Sequence, residues 1–273
     1  MAGPGWVEAK RLIKFHTLFY NMNSLLDRFP FFKKSSSQKF HERTKLLSFR
    51  NVSKSSVSKW PSEWTDINYK GYTRFKKVKL PKPKVDTIKS LTEILSLRHS
   101  SHEFHNQSLS LIQLSNLLYY SLGIKDESTG RRFYPSAGAR YPIEAYVVVF
   151  NIKNLRPGLY HYHLKSHSLE FMWSFKNMKN QVMKSFSVEW LKKASTILIL
   201  TGLFWRNEVK YGDRGYRHVL AESGIITQNI SLVATMLNLK TNAVGGYIDD
   251  VLNNLLDVDG EEESVLGVIG IGE

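Results

Sequence analysis

Three stretches of this sequence carry residue types whose spacing could do chemistry. Arg98-His99-Ser100-Ser101-His102-Glu103-Phe104 sets a guanidinium, hydroxyls and imidazoles close together. Such a set can hold a phosphate and the polar edge of a ring, because charged donors make short, strong hydrogen bonds to anionic oxygen. The same residues also suit an ordinary helix end. Lys210-Tyr211 lies within Trp205 to Arg217, directly after an apolar run. A lysine partly removed from water is less readily protonated, so beside a phenol it can act as a general base or donate to developing charge. A charged surface loop is the plain alternative. The third stretch is Pro135-Ser136-Ala137-Gly138-Ala139, where proline fixes φ and the residues after it have little or no side chain. Backbone groups can come against a flat ligand there, although small-residue loops are also common on surfaces. Gly245-Gly246 offers a similar close approach of backbone, or a simple helix-to-strand turn.

Other chemistries lack their residues. No Ser-His-Asp order, P-loop or Gly-x-Gly-x-x-Gly after a strand is present. His161, His163 and His167 alternate, but i, i+2 spacing on a strand puts His161 and His163 on one exposed face with no carboxylate or cysteine beside them, so no metal site is expected.

The elements that would position these residues are readable from periodicity. Leu91 to Arg98 and Ser110 to Gly123 have amphipathic helical spacing, the second closed by glycine. Tyr146 to Phe150 reads as a buried strand, and Leu159 to Leu164 with Leu169 to Trp173 as a hairpin around Lys165-Ser166-His167-Ser168. Ala194 to Leu203 is a nearly continuous β-branched and leucine run, which suits a strand buried on both faces at the sheet centre. Val219 to Leu239 is an apolar-striped helix of about six turns, long enough for a core or a subunit interface. Val265 to Ile271 is a last strand. Trp6 to Phe32 has helical spacing, residues 33–62 form a Lys/Ser-rich connection, and Tyr69 to Val85 reads as an extended arm ending in Leu80-Pro81-Lys82-Pro83. Strands alternating with long helices give an α/β or α+β layered architecture.

At 273 residues and 42% hydrophobic, the chain can bury a real core as one large domain or a domain with an extension. The absence of cysteine excludes disulfides, thiolate metal sites and a thiol nucleophile, and fits a reducing cytosol. Residues 1–90 hold 20 Lys and Arg against 6 Asp and Glu, so they carry the whole net charge of +14. Such an uneven split gives the extension its own role, docking an acidic peptide, a protein partner, nucleic acid or an anionic membrane, unless it is only a solvated surface. No run reaches the roughly 18 apolar residues that span a bilayer, and a compact signal-peptide core is missing. A soluble, cytoplasmic chain is expected, with the basic, Ser-rich start loosely similar to an organelle transit segment.

Taken together and in order, these groups resemble the FMN-dependent nitroreductase superfamily, and more narrowly the SagB-type dehydrogenases that oxidise azoline rings to azoles in ribosomally made peptides. Arg98, Ser100, His102 and Phe104 match the superfamily's Arg-x-Ser-x-(Arg/Lys)-x-Phe pattern, with histidine where a fixed cation is usual. Pro135 to Glu144 matches its Pro-Ser-Ala-Gly and Tyr-Pro-Ile-Glu segments, followed by the long helix with Gly224, Gln228 and Asn229 and by Gly245-Gly246. The narrower match rests on Phe40-His41-Glu42-Arg43-Thr44-Lys45, the Leu80-Pro81 arm and Lys210-Tyr211.

The resemblance implies a nitroreductase-like α+β fold, a central mixed or antiparallel sheet flanked by helices, with FMN at a homodimer interface. A basic extension over residues 1–86 would precede the FMN domain at 87–273. Arg98, Ser100 and His102 would contact the FMN phosphate or pyrimidine edge, with Arg131, Arg132, Arg214 and Arg217 as further cations for the phosphate. Pro135, Ser136, Ala137, Gly138 and Ala139 would line the isoalloxazine, and Gly245 and Gly246 would sit near its reactive nitrogen. Lys210 and Tyr211 match a pair that assists deprotonation of a thiazoline or oxazoline carbon. The substrate would be a peptide or carrier-bound precursor, met with a maturation partner through the basic extension; nucleic acid is not expected. A generic NAD(P)H-fed reductase of nitro, quinone or dehydroamino acid substrates, and a non-catalytic binding subunit, are the alternatives.

Overall fold

The computed structural model describes residues 35–45, 61–85 and 89–273, and the chain divides between Lys54 and Ser55 into two units. In the first unit, α1 (Ser36–Arg43) starts at Ser35, whose hydroxyl accepts from the Gln38 amide while the Gln38 side chain accepts from the Ser35 amide. This reciprocal pair satisfies two donors that a helix start leaves unpaired. Phe40 to Lys45 closes that helix. The helix expected over Trp6 to Phe32 and most of the 33–62 connection lie outside the described residues.

The second unit opens with α2 (Ser62–Thr65), β1 (Lys76–Lys79), α3 (Leu91–Leu97) and α4 (Leu111–Leu122). A small ribbon, β2 (Ile124–Asp126) and β3 (Arg131–Arg132), precedes β4 (Ile143–Val149), β5 (Gly158–His163), β6 (Ser168–Trp173) and α5 (Met178–Met183). There follow β7 (Thr196–Leu203), α6 (Trp205–Tyr211), α7 (Arg214–Met236), β8 (Lys240–Val244), α8 (Asp249–Leu256) and β9 (Glu263–Gly272). Seven strands form one sheet in the order β1-β6-β5-β4-β7-β9-β8, and every neighbouring pair is antiparallel.

Side chains alternate across this sheet, and both faces are covered. Ala145, Val147 and Val149 of β4 with Leu198 and Leu200 of β7 join a core that includes Leu114, Leu117 and Leu118 of α4 and Val219, Ile226 and Ile230 of α7. Tyr146 and Val148 with Ile197 and Ile199 point the other way, into a core with Val182 of α5 and Leu252 and Leu256 of α8. The sheet is thus a layer between helices. A run buried on both faces was expected to mark the centre at Ala194 to Leu203. The middle strand is instead β4, one place over; both strands are interior, so continuous apolarity does not separate them.

Three expectations change in detail. The long helix begins at Arg214, five residues ahead of Val219, because its first turn is polar and carries no apolar stripe. The arm supplies an edge strand: Lys76 to Lys79 pair with Phe171 to Ser168, so the sheet draws on residues ahead of the expected 86/87 boundary. Lys210-Tyr211 stand on a short helix, α6, and not in the charged surface loop that was the plain alternative.

Candidate active site

Pro135 to Ala139 and Lys210-Tyr211 meet. A Cβ added to Gly138 would lie 2.5 Å from the Tyr211 Oη and 3.0 Å from the Lys210 Nζ, so only a residue without a side chain lets the loop come this close. Gly138 has φ 64°, Ala139 φ 55° and Tyr141 φ 49°. Two non-glycine residues in the left-handed region are held there by specific bonds, since each costs about 1 kcal/mol or more. The Ser136 carbonyl accepts from the Ala139 amide at 3.1 Å, and the Ser136 hydroxyl accepts from the Tyr141 amide at 2.8 Å. Gly138→Ala is therefore expected to lower unfolding stability by about 1–3 kcal/mol in a denaturant titration, from backbone strain and displacement of the Tyr211 ring.

A buried polar chain holds the loop from below. The Arg206 Nη1, on α6, donates to the Tyr141 carbonyl at 2.9 Å and is 2.7 Å from the Glu144 carboxylate. Glu144 faces His161 Nε2 at 3.2 Å, and the opposite ring nitrogen, Nδ1, is 2.9 Å from Glu170. Lys77 closes the chain against Glu170 at 3.1 Å. Because both ring nitrogens face carboxylates, the protonated form of His161 is favoured: burial alone would lower its pKa, and the two glutamates raise it. Glu144 and Glu170 are pulled down to about 2, through hydrogen bonding to His161 and the nearby cations, against the opposing effect of burial. This corrects the reading of His161 as an exposed residue without carboxylate neighbours. It is fully buried, and the missed signal was glutamate inside two otherwise apolar strands. No group of His, Cys, Asp or Glu among the described residues is arranged to hold a metal.

Burial lowers the pKa of Lys210, and the Arg140 charge lowers it further. Burial raises that of Tyr211, with Arg140 opposing. A lysine more easily neutral beside a phenol that stays protonated makes a base and a donor at one place. The segment Pro61 to Asp66 also comes here, since the Arg140 Nη1 donates to the Asp66 carbonyl at 2.7 Å. Glu222 of α7 is buried, with the Ser136 hydroxyl as its donor, and burial pushes its pKa up to about 7. Its signal in the sequence was a glutamate at a stripe position, between Val219 and Ile226.

Arg98, Ser100 and His102 lie elsewhere. Ser100 bridges to Thr241 at the start of β8, the Ser101 amide donates to the Thr241 carbonyl at 2.9 Å, and His102 packs on Trp190 with centroids 5.0 Å apart. Lys240, next to Thr241, contacts His105 at 2.8 Å and adds a cation that sequence reasoning missed. Gly245 and Gly246 follow the other end of β8, and no heavy atom lies within 4 Å of a Cβ built on Gly245. Thr241 pairs with Ile271, whereas Gly202, level with Ile143 after the small-residue loop, pairs with Ser264. Seven residues of β9 separate those levels, about 20 Å at the rise of a strand. Within one copy, the Arg98 to His102 segment and the Pro135 to Ala139 loop are therefore not brought together. Of the four further arginines, Arg132 is buried and donates to Tyr134 at 2.7 Å, which removes it from the cations available to a phosphate.

A family model described as the nitroreductase family matches residues 95–273. A protein of Methanocaldococcus jannaschii named as a nitroreductase is 33% identical over 176 residues, covering 64% of this chain and 88% of its own length. The microcin B17-processing protein McbC of Escherichia coli is 32% identical over 156 residues, or 55% of this chain; the chain spans 57% of that relative's length. A chain of the E. coli microcin synthetase McbBCD complex, solved with truncated pro-MccB17 bound, superposes with a TM-score of 0.56 at 25% identity. The match covers 87% of this chain and 91% of that one.

Proposed function

The chain belongs to the nitroreductase family, and from that premise we propose that it is an FMN-dependent dehydrogenase that oxidises azoline rings to azoles in a peptide or carrier-bound precursor. One observation carries this reading: the Gly138 backbone is pressed against the side chains of Lys210 and Tyr211. A flat ligand along the small-residue loop would have a base and a phenol at its edge. The likeness to a microcin-processing protein supports a peptide as the substrate class.

The residues fit a flavin. The open space at Gly245 admits a planar ring to the backbone, and Arg98, Ser100, His102 and Lys240 gather donors at the other end of β8. Bound FMN would supply the hydride acceptor. Lys210 would take the proton from the ring carbon, and Tyr211 would donate a hydrogen bond to the reacting ring. The loop and α6 would keep the two side chains oriented and shield them from water.

A homodimer would reconcile the same geometry with one shared site. The two groups of candidate residues stand about 20 Å apart along the strands of one copy, so a second copy would bring its Pro135 to Ala139 loop against the Arg98 to His102 and Gly245 wall. Exposed apolar side chains on the helices around the site support this, among them Trp205 and Val209 on α6 and Leu220 and Ile225 on α7. The basic residues ahead of 90 would meet an acidic peptide or a maturation partner. No helix among the described residues is long and apolar enough to cross a membrane, and we assign the chain to the cytoplasm, where its substrate would be made.

Absorbance of the purified protein after addition of FMN tests the reading. Retained flavin bands, with an azoline peptide converted to a product two mass units lighter, is the expected result. Flavin that stays colourless with NADPH and turns over nitro or quinone substrates without peptide would favour the generic reductase. No bound flavin at any FMN concentration would favour a binding subunit.

A further inference from the structure

Arg140 is the residue between the small-residue loop and β4, and neither periodicity nor motif marks it. Its side chain is fully buried. The Nε donates to the carbonyl of Arg206 at 3.0 Å and Nη1 to that of Asp66 at 2.7 Å. The remaining nitrogen, Nη2, finds no acceptor among the described residues. Arg206 lies four residues before Lys210 on α6, one helical turn away, and Arg140 lies two residues after Gly138, which abuts Lys210 and Tyr211. The guanidinium is thereby fixed to both walls of the candidate site at once.

Other charged groups surround it. Arg206, the nearest other guanidinium, is matched by Glu144 at 2.7 Å. Asp66 attracts Arg140 from the α2 side, while His218 on α7 stands over the Tyr211 ring with centroids 5.0 Å apart and Arg214 beside it. Glu222 bonds Ser136 of the loop and is attracted by Arg132 and Arg206. An arginine stays charged at any physiological pH, so its charge opposes that of a protonated Lys210 whatever the pH.

We propose that Arg140 is a positioning residue that acts through charge: held to the carbonyls of Arg206 and Asp66, it favours the form of Lys210 that can accept a proton. This rests on the assignment of Lys210 as base. Direction and cause agree with it, because Arg140 opposes protonation of both Lys210 and Tyr211.

The test reads the lysine itself and needs neither flavin nor substrate. The full chain is pulsed with acetic anhydride across a pH series, and acetylation of Lys210 is followed by mass spectrometry against exposed Lys125. In Arg140→Met the midpoint of Lys210 labelling should move to higher pH, so that labelling at pH 8 slows roughly threefold to tenfold relative to Lys125. Arg140→Lys, which keeps the cation, should stay within about twofold of the parent. Loss of packing alone would lower the melting temperature without moving the midpoint. Should the Met variant not fold, Arg140→Gln, whose amide still donates to a carbonyl, carries the same expectation. An unmoved midpoint in the uncharged variant overturns the proposal. A moved midpoint together with normal turnover by Lys210→Ala would leave the electrostatic coupling standing and overturn the base assignment.

Discussion

Lys210→Ala is expected to bind FMN with unchanged absorbance and to lose azoline dehydrogenation by about 10²–10⁴-fold, the usual worth of a positioned general base. The loss should fall on kcat, because the amine touches the proton being removed more than it touches the ground-state substrate. Tyr211→Phe keeps the ring that packs on His218 and removes only the hydroxyl, so a smaller loss is expected. The acid limb of the parent's pH profile should report Lys210: its pKa is lowered by burial and by Arg140, and activity should rise as the amine loses its proton. Turnover by the alanine variant within threefold of the parent would remove Lys210 from the mechanism.

His161→Leu is expected to have the largest effect on stability, about 3–5 kcal/mol, read as a fall of roughly 10 °C in melting temperature. Leucine fills similar space but leaves two buried carboxylates, Glu144 and Glu170, without the imidazolium between them. The sign of the pH dependence follows from the shifts. The folded protein raises the His161 pKa above its ordinary 6.5, so this contribution is complete below about 6.5 and is lost as pH rises through the folded value. The two glutamates fall from 4.5 to about 2, so theirs is present above 4.5 and is lost as pH falls toward 2. The parent should therefore gain most from the cluster between about pH 4.5 and 6.5. In the variant the carboxylates favour protonation, and the gap to the parent should close in acid. A gap independent of pH would mean that His161 contributes packing alone.

How much of this was legible in the sequence depends on whether a feature is periodic. Ser110 to Gly123 was readable because capping and an apolar stripe agree: Ser110 and Gln113 form a capping box, and Gly123 follows the last turn. The strand at Tyr146 and the hairpin around Lys165 were readable for the same reason, since period-2 patterns survive into register. The contact between Gly138 and Lys210-Tyr211 was not. It joins residues 72 and 73 positions apart through a left-handed turn that no local pattern announces. Arg140, buried at a site where arginine would ordinarily be solvated, and the Glu144–His161–Glu170 chain were hidden for a related reason. A strand's own alternation says which residues share a face, but not whether another strand or the arm covers that face. Here Tyr72 donates its amide to Glu170 at 2.9 Å, and Lys70 reaches Glu263 and Tyr146.

The arm also sets an order in time. Its strand pairs Lys76 with Phe171, and its Lys70 bonds a residue 193 positions further along. Closing loops that long gives up more chain freedom than any hairpin in the sheet, and nothing repays that until both ends exist. On a growing chain the arm emerges ahead of the rest of the sheet yet must wait for β6 and β9 before it can latch. The sheet's earliest strand is among the last to be fastened, and until then Glu170 and Glu263 lack the partners the arm brings.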